Sequence, residues 1–166
     1  MNYIRKVVVC IVMLVMLVGT SANAQVVRGY SQNDVTVRSS LSESKIKELL
    51  PPRMKELSSI LYQIERSNKP INALFLMSLI RLETGNGTSY SYRVRKNCGG
   101  VMGRYGLRSF NSREQCLLYM QDFLYRKYIN IGRKSVWRIG RKYCVGGNWA
   151  YKVNSLAINY MYRANR

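Results

Sequence analysis

Apolar residues recur every three or four positions in several stretches of this chain, and most of those stretches are bounded by residues that start or stop helices. Ser42 stands before Lys45, Ile46, Leu49 and Leu50, until Pro51 and Pro52 interrupt, which predicts a short helix capped by Ser42. Pro52 can open a second helix, whose Met54, Leu57, Ile60, Leu61 and Ile64 form one stripe ending at Ser67 and Asn68. Ser112 caps a third, in which Cys116, Met120, Phe123, Leu124 and Lys127 recur with Leu117 and Tyr128 beside them, a face suited to core packing. Residues 130–142 alternate basic and apolar and predict a short helix around Val136, Trp137 and Ile139. From Trp149 to about Arg163, the spacing of Val153, Leu156, Ala157, Tyr160 and Met161 predicts a last helix that closes the bundle.

The most informative stretch is 70–103. From Pro70 to Leu82 it is apolar except for Asn72, Ser78 and Arg81, and Gly85 and Gly87 follow, the pattern of a buried helix. Glu83 continues the face of Leu76, Leu79 and Ile80. Burial and the negative end of the helix dipole both disfavour its carboxylate, which suits a general acid that must hold a proton near neutral pH. The alternative is a structural Glu83 paired with Arg81, Arg93 or Arg95. Between Gly85 and Ser109 the chain reads as loop, with Tyr90, Tyr92 and Tyr105 interleaved among Arg93, Arg95, Lys96 and Arg104. Tyrosine rings of such a loop offer apolar faces with hydrogen-bonding hydroxyls and its cations can meet carboxylates, although the rings can also simply pin the loop to the core.

At the N-terminus, Arg5 and Lys6 precede the apolar run Val7–Val18, and Ala22-Asn23-Ala24 forms a small-residue cleavage site. Residues 1–24 therefore read as a signal peptide, since a run of 12 residues falls short of the roughly 20 needed to span a bilayer. Any membrane contact would come only through the uncleaved leader. Residues 25–42 are polar and lack helical periodicity, an expected loosely ordered leader, and 43–166 form one domain. Without the signal, 25 basic residues face 8 acidic ones, a formal +17 that favours anionic polymers of the cell envelope. No nucleic-acid-binding signature is present, and export to the periplasm or exterior removes the protein from most nucleic acid. The chain has no His and only widely spaced thiols, so neither a metal site nor a cofactor is expected.

The run Leu82-Glu83-Thr84-Gly85-Asn86-Gly87-Thr88-Ser89 resembles the "LESGWGTS" signature of the bacterial glucosaminidase family, lysozyme-like peptidoglycan hydrolases. Asn97 to Gly103 aligns on that family's "NLFGIKG", with Gly99 where the family has an aromatic, and Tyr143 to Val153 aligns on "YATDPxYAxKV", with Trp149 for the second Tyr. The resemblance implies a mainly α, lysozyme-like single helical domain with little or no β structure. It also implies an exported endo-β-N-acetylglucosaminidase acting on peptidoglycan glycan strands, with Glu83 as catalytic acid and Tyr143 beside it. Ser89, Asn97 and Trp149 in the motifs, with Tyr90 and Tyr105 in the loop between, are the expected substrate-binding residues.

The chain departs from the family between residues 84 and 113, which contain no Asp or Glu, so the hairpin that carries a second acid in relatives reads as trimmed away. The expected scheme has Glu83 protonate the glycosidic oxygen. The substrate's 2-acetamido group, or a water held by Tyr143, completes the displacement, and Tyr143 stabilises the oxocarbenium-like state. A muramidase or lytic transglycosylase on the same scaffold, and a non-catalytic cationic wall-binding protein, are the alternatives. Cys98, Cys116 and Cys144 follow the signal, an odd number; Cys98 and Cys144 fall in loops flanking the expected cleft and are the favoured disulfide, a pairing to which the family pattern lends nothing. Nothing in the sequence fixes the oligomeric state.

Overall fold

A computed structural model of the chain describes residues 29–144 and 147–166; the signal reading of 1–24 lies outside the described residues. Ser42 Oγ accepts the Lys45 N–H at 3.2 Å and starts α1, Glu43–Leu49. After the proline pair the chain makes a 3₁₀ turn, Pro52–Leu57, before α2, Ser58–Arg66, so the stripe expected as one helix divides between two geometries. Its apolar face still points inward, with Met54, Leu57, Leu61 and Ile64 buried.

α3 spans Ala73–Thr84, three residues later than Pro70, because Asn72 Oδ1 accepts the Phe75 N–H at 3.0 Å and so fixes the first turn. Every residue from Ala73 to Ile80 is buried, which makes α3 the axis of the domain; it packs on α2 and on the last helix. Gly85, at φ +55°, ends it in the left-handed conformation that glycine adopts without penalty, and the Asn86 N–H closes back on the Arg81 carbonyl at 3.0 Å.

The stretch read as loop from 85 to 109 holds a four-residue helix, α4 (Tyr90–Arg93), and a short antiparallel hairpin, β1 (Met102–Gly103) with β2 (Gly106–Leu107). Met102 pairs with Leu107 and Gly103 with Gly106, so a stub of the hairpin remains where none was expected. α5 (Arg113–Lys127) follows its Ser112 cap, and a 3₁₀ turn, Ile129–Ile131, leads to α6 (Val136–Tyr143) and α7 (Trp149–Ala164). None of the described helices is long and apolar enough to cross a membrane.

The described part of the expected leader is not loose. Val35, Ser39 and Leu41 are buried, and the segment is tied down by backbone bonds from Val35 N to Lys134 O (2.9 Å), Asn72 N to Val35 O (2.7 Å) and Val136 N to Gln32 O (3.0 Å). The Asn72 amide donates to the carbonyls of Gly29 and Val37 as well. Glu65 completes the anchorage. Its side chain is wholly buried and accepts from Ser39 N (2.8 Å), Ser39 Oγ (3.0 Å) and Ala73 N (2.8 Å), with Arg66 Nη1 at 3.5 Å. One carboxylate thus joins the N-terminal segment to the first turn of α3, where the helix dipole also favours an anion.

Glu65→Gln would turn an amide N–H₂ towards donors that need an acceptor. The expected loss is about 2–3 kcal/mol of unfolding free energy, read as a lowered urea midpoint, with faster amide exchange across residues 35–41.

Candidate active site

Glu83 lies in the last turn of α3, where the chain must turn out of the core, and α7 begins beside it. The Trp149 indole N–H, from the first residue of α7, donates to Glu83 Oε1 at 2.8 Å. No ion pair to Glu83 forms among the described residues. Arg81 instead donates to Asn86 Oδ1 and Arg95 to the Leu107 carbonyl, so the structural Arg–Glu pairing weighed from the sequence is not made. Burial pushes the Glu83 carboxyl above the ordinary carboxylate range, and the Trp149 bond, which favours the charged form, opposes this only in part. Across the carboxylate runs Gly100, at φ +63°; a Cβ there would sit 3.3 Å from Glu83 Oε2, so glycine lets the backbone close down on the acid without crowding it.

The carboxyl opens into a cleft of about 360 Å³, walled by the 99–102 loop on one side and by Tyr119, Phe123, Tyr128 and Tyr143 on the other. These rings belong to a continuous row. Phe110, Tyr119, Phe123, Tyr128, Tyr143 and Trp149 follow one another at centroid separations of 5.7, 6.5, 5.9, 6.3 and 4.7 Å, and the last pair is stacked at 29°. The row ends on the tryptophan that holds Glu83. Glu83 is the sole carboxylate lining the cleft among the described residues. A wall of rings beside one protonatable oxygen can hold a pyranose by its apolar face and present its linking oxygen to an acid.

Of the residues expected to touch substrate, several serve the framework instead. Ser89 caps α4, accepting the Tyr92 N–H at 3.2 Å. Asn97 is buried and makes four bonds within its own loop, donating to Val101 O and Arg108 O (both 2.9 Å) and accepting from Gly99 N and Val101 N. Tyr90 and Tyr105 are exposed and off the cleft wall, Tyr105 at the hairpin tip with Arg104 over its ring. Trp149 is buried and grips the acid rather than offering a face to sugar.

Tyr143 lines the cleft, and its hydroxyl donates to the Gly99 carbonyl at 3.0 Å, which ties the 99–102 loop to the end of α6. Sequence reasoning missed Tyr119 and read Phe123 and Tyr128 as core. The signal was the four-residue step between Tyr119 and Phe123, which puts both rings on one flank of α5.

The Cys98–Cys144 bridge is not formed. Cys98 turns inward beneath the loop, where its N–H meets Cys116 Sγ at 3.2 Å, while Cys144 stays at the surface past the end of α6. The hydrogen bond with Cys116, and then burial, push the Cys98 thiol far up. In the native protein a maleimide is therefore expected to label Cys144 within minutes and Cys98 only after unfolding, as peptide mapping of the alkylated protein would show.

No family model matches the sequence, and no curated protein matches it. Among solved structures, a catalytic mutant of S. aureus autolysin E in complex with the disaccharide NAG-NAM superposes with a TM-score of 0.70 at 16% identity, over 83% of this chain and 75% of that one. The complex of autolysin E with the muropeptide NAM-L-Ala-D-iGlu gives 0.69 at 16% identity, over 84% and 76%, and autolysin E itself 0.68 at 16%, over 86% and 74%. At this identity the likeness is one of fold: the chain has the mostly helical, lysozyme-like fold of a bacterial glucosaminidase.

Proposed function

We propose that the protein is an exported peptidoglycan hydrolase that cuts the glycan strand as an endo-β-N-acetylglucosaminidase, with Glu83 as its general acid. The observation that carries this reading is a single carboxyl, its pKa raised by burial, whose Oε1 is held by Trp149 and whose Oε2 accepts no bond from the described residues, facing an aromatic-walled cleft. Support comes also from the structural neighbours, whose bound ligands are wall fragments.

In the proposed reaction, protonated Glu83 gives its proton to the glycosidic oxygen as the C1–O bond breaks. The carbonyl oxygen of the substrate's own 2-acetamido group closes on C1 from the opposite side. Water then opens the resulting oxazolinium ring, and its proton returns to Glu83. No second carboxylate is required, which suits a cleft lined by one acid. Tyr143 keeps the Gly99 carbonyl and the Trp149 ring in place. The signal reading puts the enzyme in the periplasm or outside the cell, and the positive charge favours approach to anionic envelope polymers.

The lone carboxylate also favours a second reading, a lytic transglycosylase, in which the 6-hydroxyl of the muramic acid residue takes the place of water. Mass spectrometry of digested wall separates these: reducing N-acetylglucosamine ends support the first, 1,6-anhydro ends the second, and reducing N-acetylmuramic acid a muramidase.

Glu83→Gln is expected to slow release of reducing ends from peptidoglycan about 10³-fold. The same variant should be more stable than the native chain at neutral pH. A carboxyl whose folded pKa is raised contributes stability that is fully present below its unfolded pKa and is lost as pH rises through the folded value. Higher thermal stability with lost activity would separate catalysis from misfolding, whereas wall clearing at the native rate would sink the assignment. Trp149→Phe removes the one bond that favours the Glu83 anion, so the alkaline limb of the pH–rate profile should move to higher pH.

A further inference from the structure

The aromatic row does not exhaust the exposed aromatic surface near Glu83. A second groove, about 650 Å³, lies between α6 and the start of α7, lined by Trp137, Gly140, Arg141, Cys144, Asn148 and Tyr151 among others. It meets the Glu83 cleft at Cys144, which borders both. Gly140 sets its floor: a Cβ there would lie 2.7 Å from Ala150 Cβ and 3.1 Å from Trp149 Cε3, so glycine lets the two helices approach this closely. Trp149 therefore spans the junction, its indole N–H on Glu83 and its six-membered ring against Gly140.

Trp137 and Tyr151 are left 39% and 64% exposed, so each keeps ring surface open to solvent. Trp137, Gly140 and Arg141 share one face of α6 at helical spacing, and Asn148 and Tyr151 stand three apart at the start of α7. Along α6, Trp137 lies six residues, about 9 Å, from Tyr143. Two rings flanking a guanidinium and an amide make a surface that takes the apolar faces of sugars and the carboxylates of their substituents.

We propose that this groove is a second saccharide-binding site, in which Trp137 and Tyr151 hold the glycan strand beyond the scissile linkage and Arg141 pairs with a carboxylate of its peptide or lactyl substituents. The inference rests on the glycan-cleaving reading of the Glu83 cleft. Its consequence is a preference for polymer: short oligosaccharides fill the cleft alone, while a long strand gains the additional contacts.

The chain has two tryptophans: Trp137, which lines the second groove and alone reports it, and Trp149, which is buried with its N–H on Glu83 and responds to a saccharide at the acid. In Glu83→Gln protein labelled with 5-fluorotryptophan, the two fluorine signals are assigned with Trp137→Phe and titrated with N-acetylglucosamine oligomers. The dimer is expected to shift the Trp149 signal alone, and the hexamer both. A hexamer that shifts only Trp149 overturns the second site and leaves the cleft reading standing; if neither signal moves, both fail. In active protein, Trp137→Ala and Tyr151→Ala should each lower the ratio of kcat/KM on long glycan strands to kcat/KM on a tetrasaccharide about tenfold, chiefly through KM on the long strand. An unchanged ratio in both variants would also overturn the proposal.

Discussion

The hydrogen bond between Trp149 and Glu83 is the contact on which the site depends, because it joins the end of the central helix to the beginning of the last one. α3 brings the carboxyl out of a run of wholly buried residues, and α7 starts with the residue that receives it. Two opposing effects meet on one group. Burial and the C-terminal end of the α3 dipole favour the protonated acid, while the indole N–H favours the anion, and burial wins. A single donor orients the carboxyl without neutralising that preference; a second strong donor or a guanidinium in the same place would hold the anion and remove the acid.

The floor of the cleft shows how one substitution in a motif is absorbed by its surroundings. Where the motif that residues 97–103 resemble carries an aromatic, this chain has Gly99, and a Cβ at that position would fall 2.4 Å from Met120 Cε. Met120, reaching over from α5, occupies the volume that a ring would take. A thioether is flexible enough to fill such a gap. What a ring at 99 would fix by its own packing is fixed here from two sides, by the Tyr143 hydroxyl on the Gly99 carbonyl and by the four bonds of Asn97 beneath it. The loop stays firm enough for Gly100 to close on Glu83.

What was legible in the sequence was local. The Ser42 and Ser112 caps, the apolar stripes and the glycines after Thr84 each act within a turn or two, and they placed the helices and the acid. What was not legible reaches across the chain. Trp149 and Glu83 are 66 positions apart, so no spacing connects them. Asn97 was visible as part of a motif, yet its partner carbonyl at Arg108 lies 11 positions on and gives it a framework duty instead of a sugar. Residues 29–41 lack periodicity because their order comes from backbone bonds to Asn72 and Lys134 and from the distant Glu65, none of which leaves a hydrophobic pattern. Tyr119 and Phe123 were hidden for a different reason: a half-buried ring on a helix has the same spacing whether the space beside it is core or cleft.

Positive charge is kept off the Glu83 carboxyl. The chain is strongly basic, yet no Lys or Arg lines the Glu83 cleft among the described residues. Arg81, only two residues from Glu83, is turned onto Asn86 and lies over the Tyr160 ring, and Arg108 lies over Tyr119 and Phe110. A cation facing the carboxyl in this low-dielectric cleft would stabilise the anion and pull its pKa down, cancelling what burial achieves. Cations at the outer surface act through solvent, where salt screens them beyond roughly 8–10 Å, so in the proposed function they would draw in an anionic wall without ionising the acid. In the proposed reaction, attraction and proton donation would place opposite demands on positive charge, and both are compatible with a cleft that no Lys or Arg lines among the described residues.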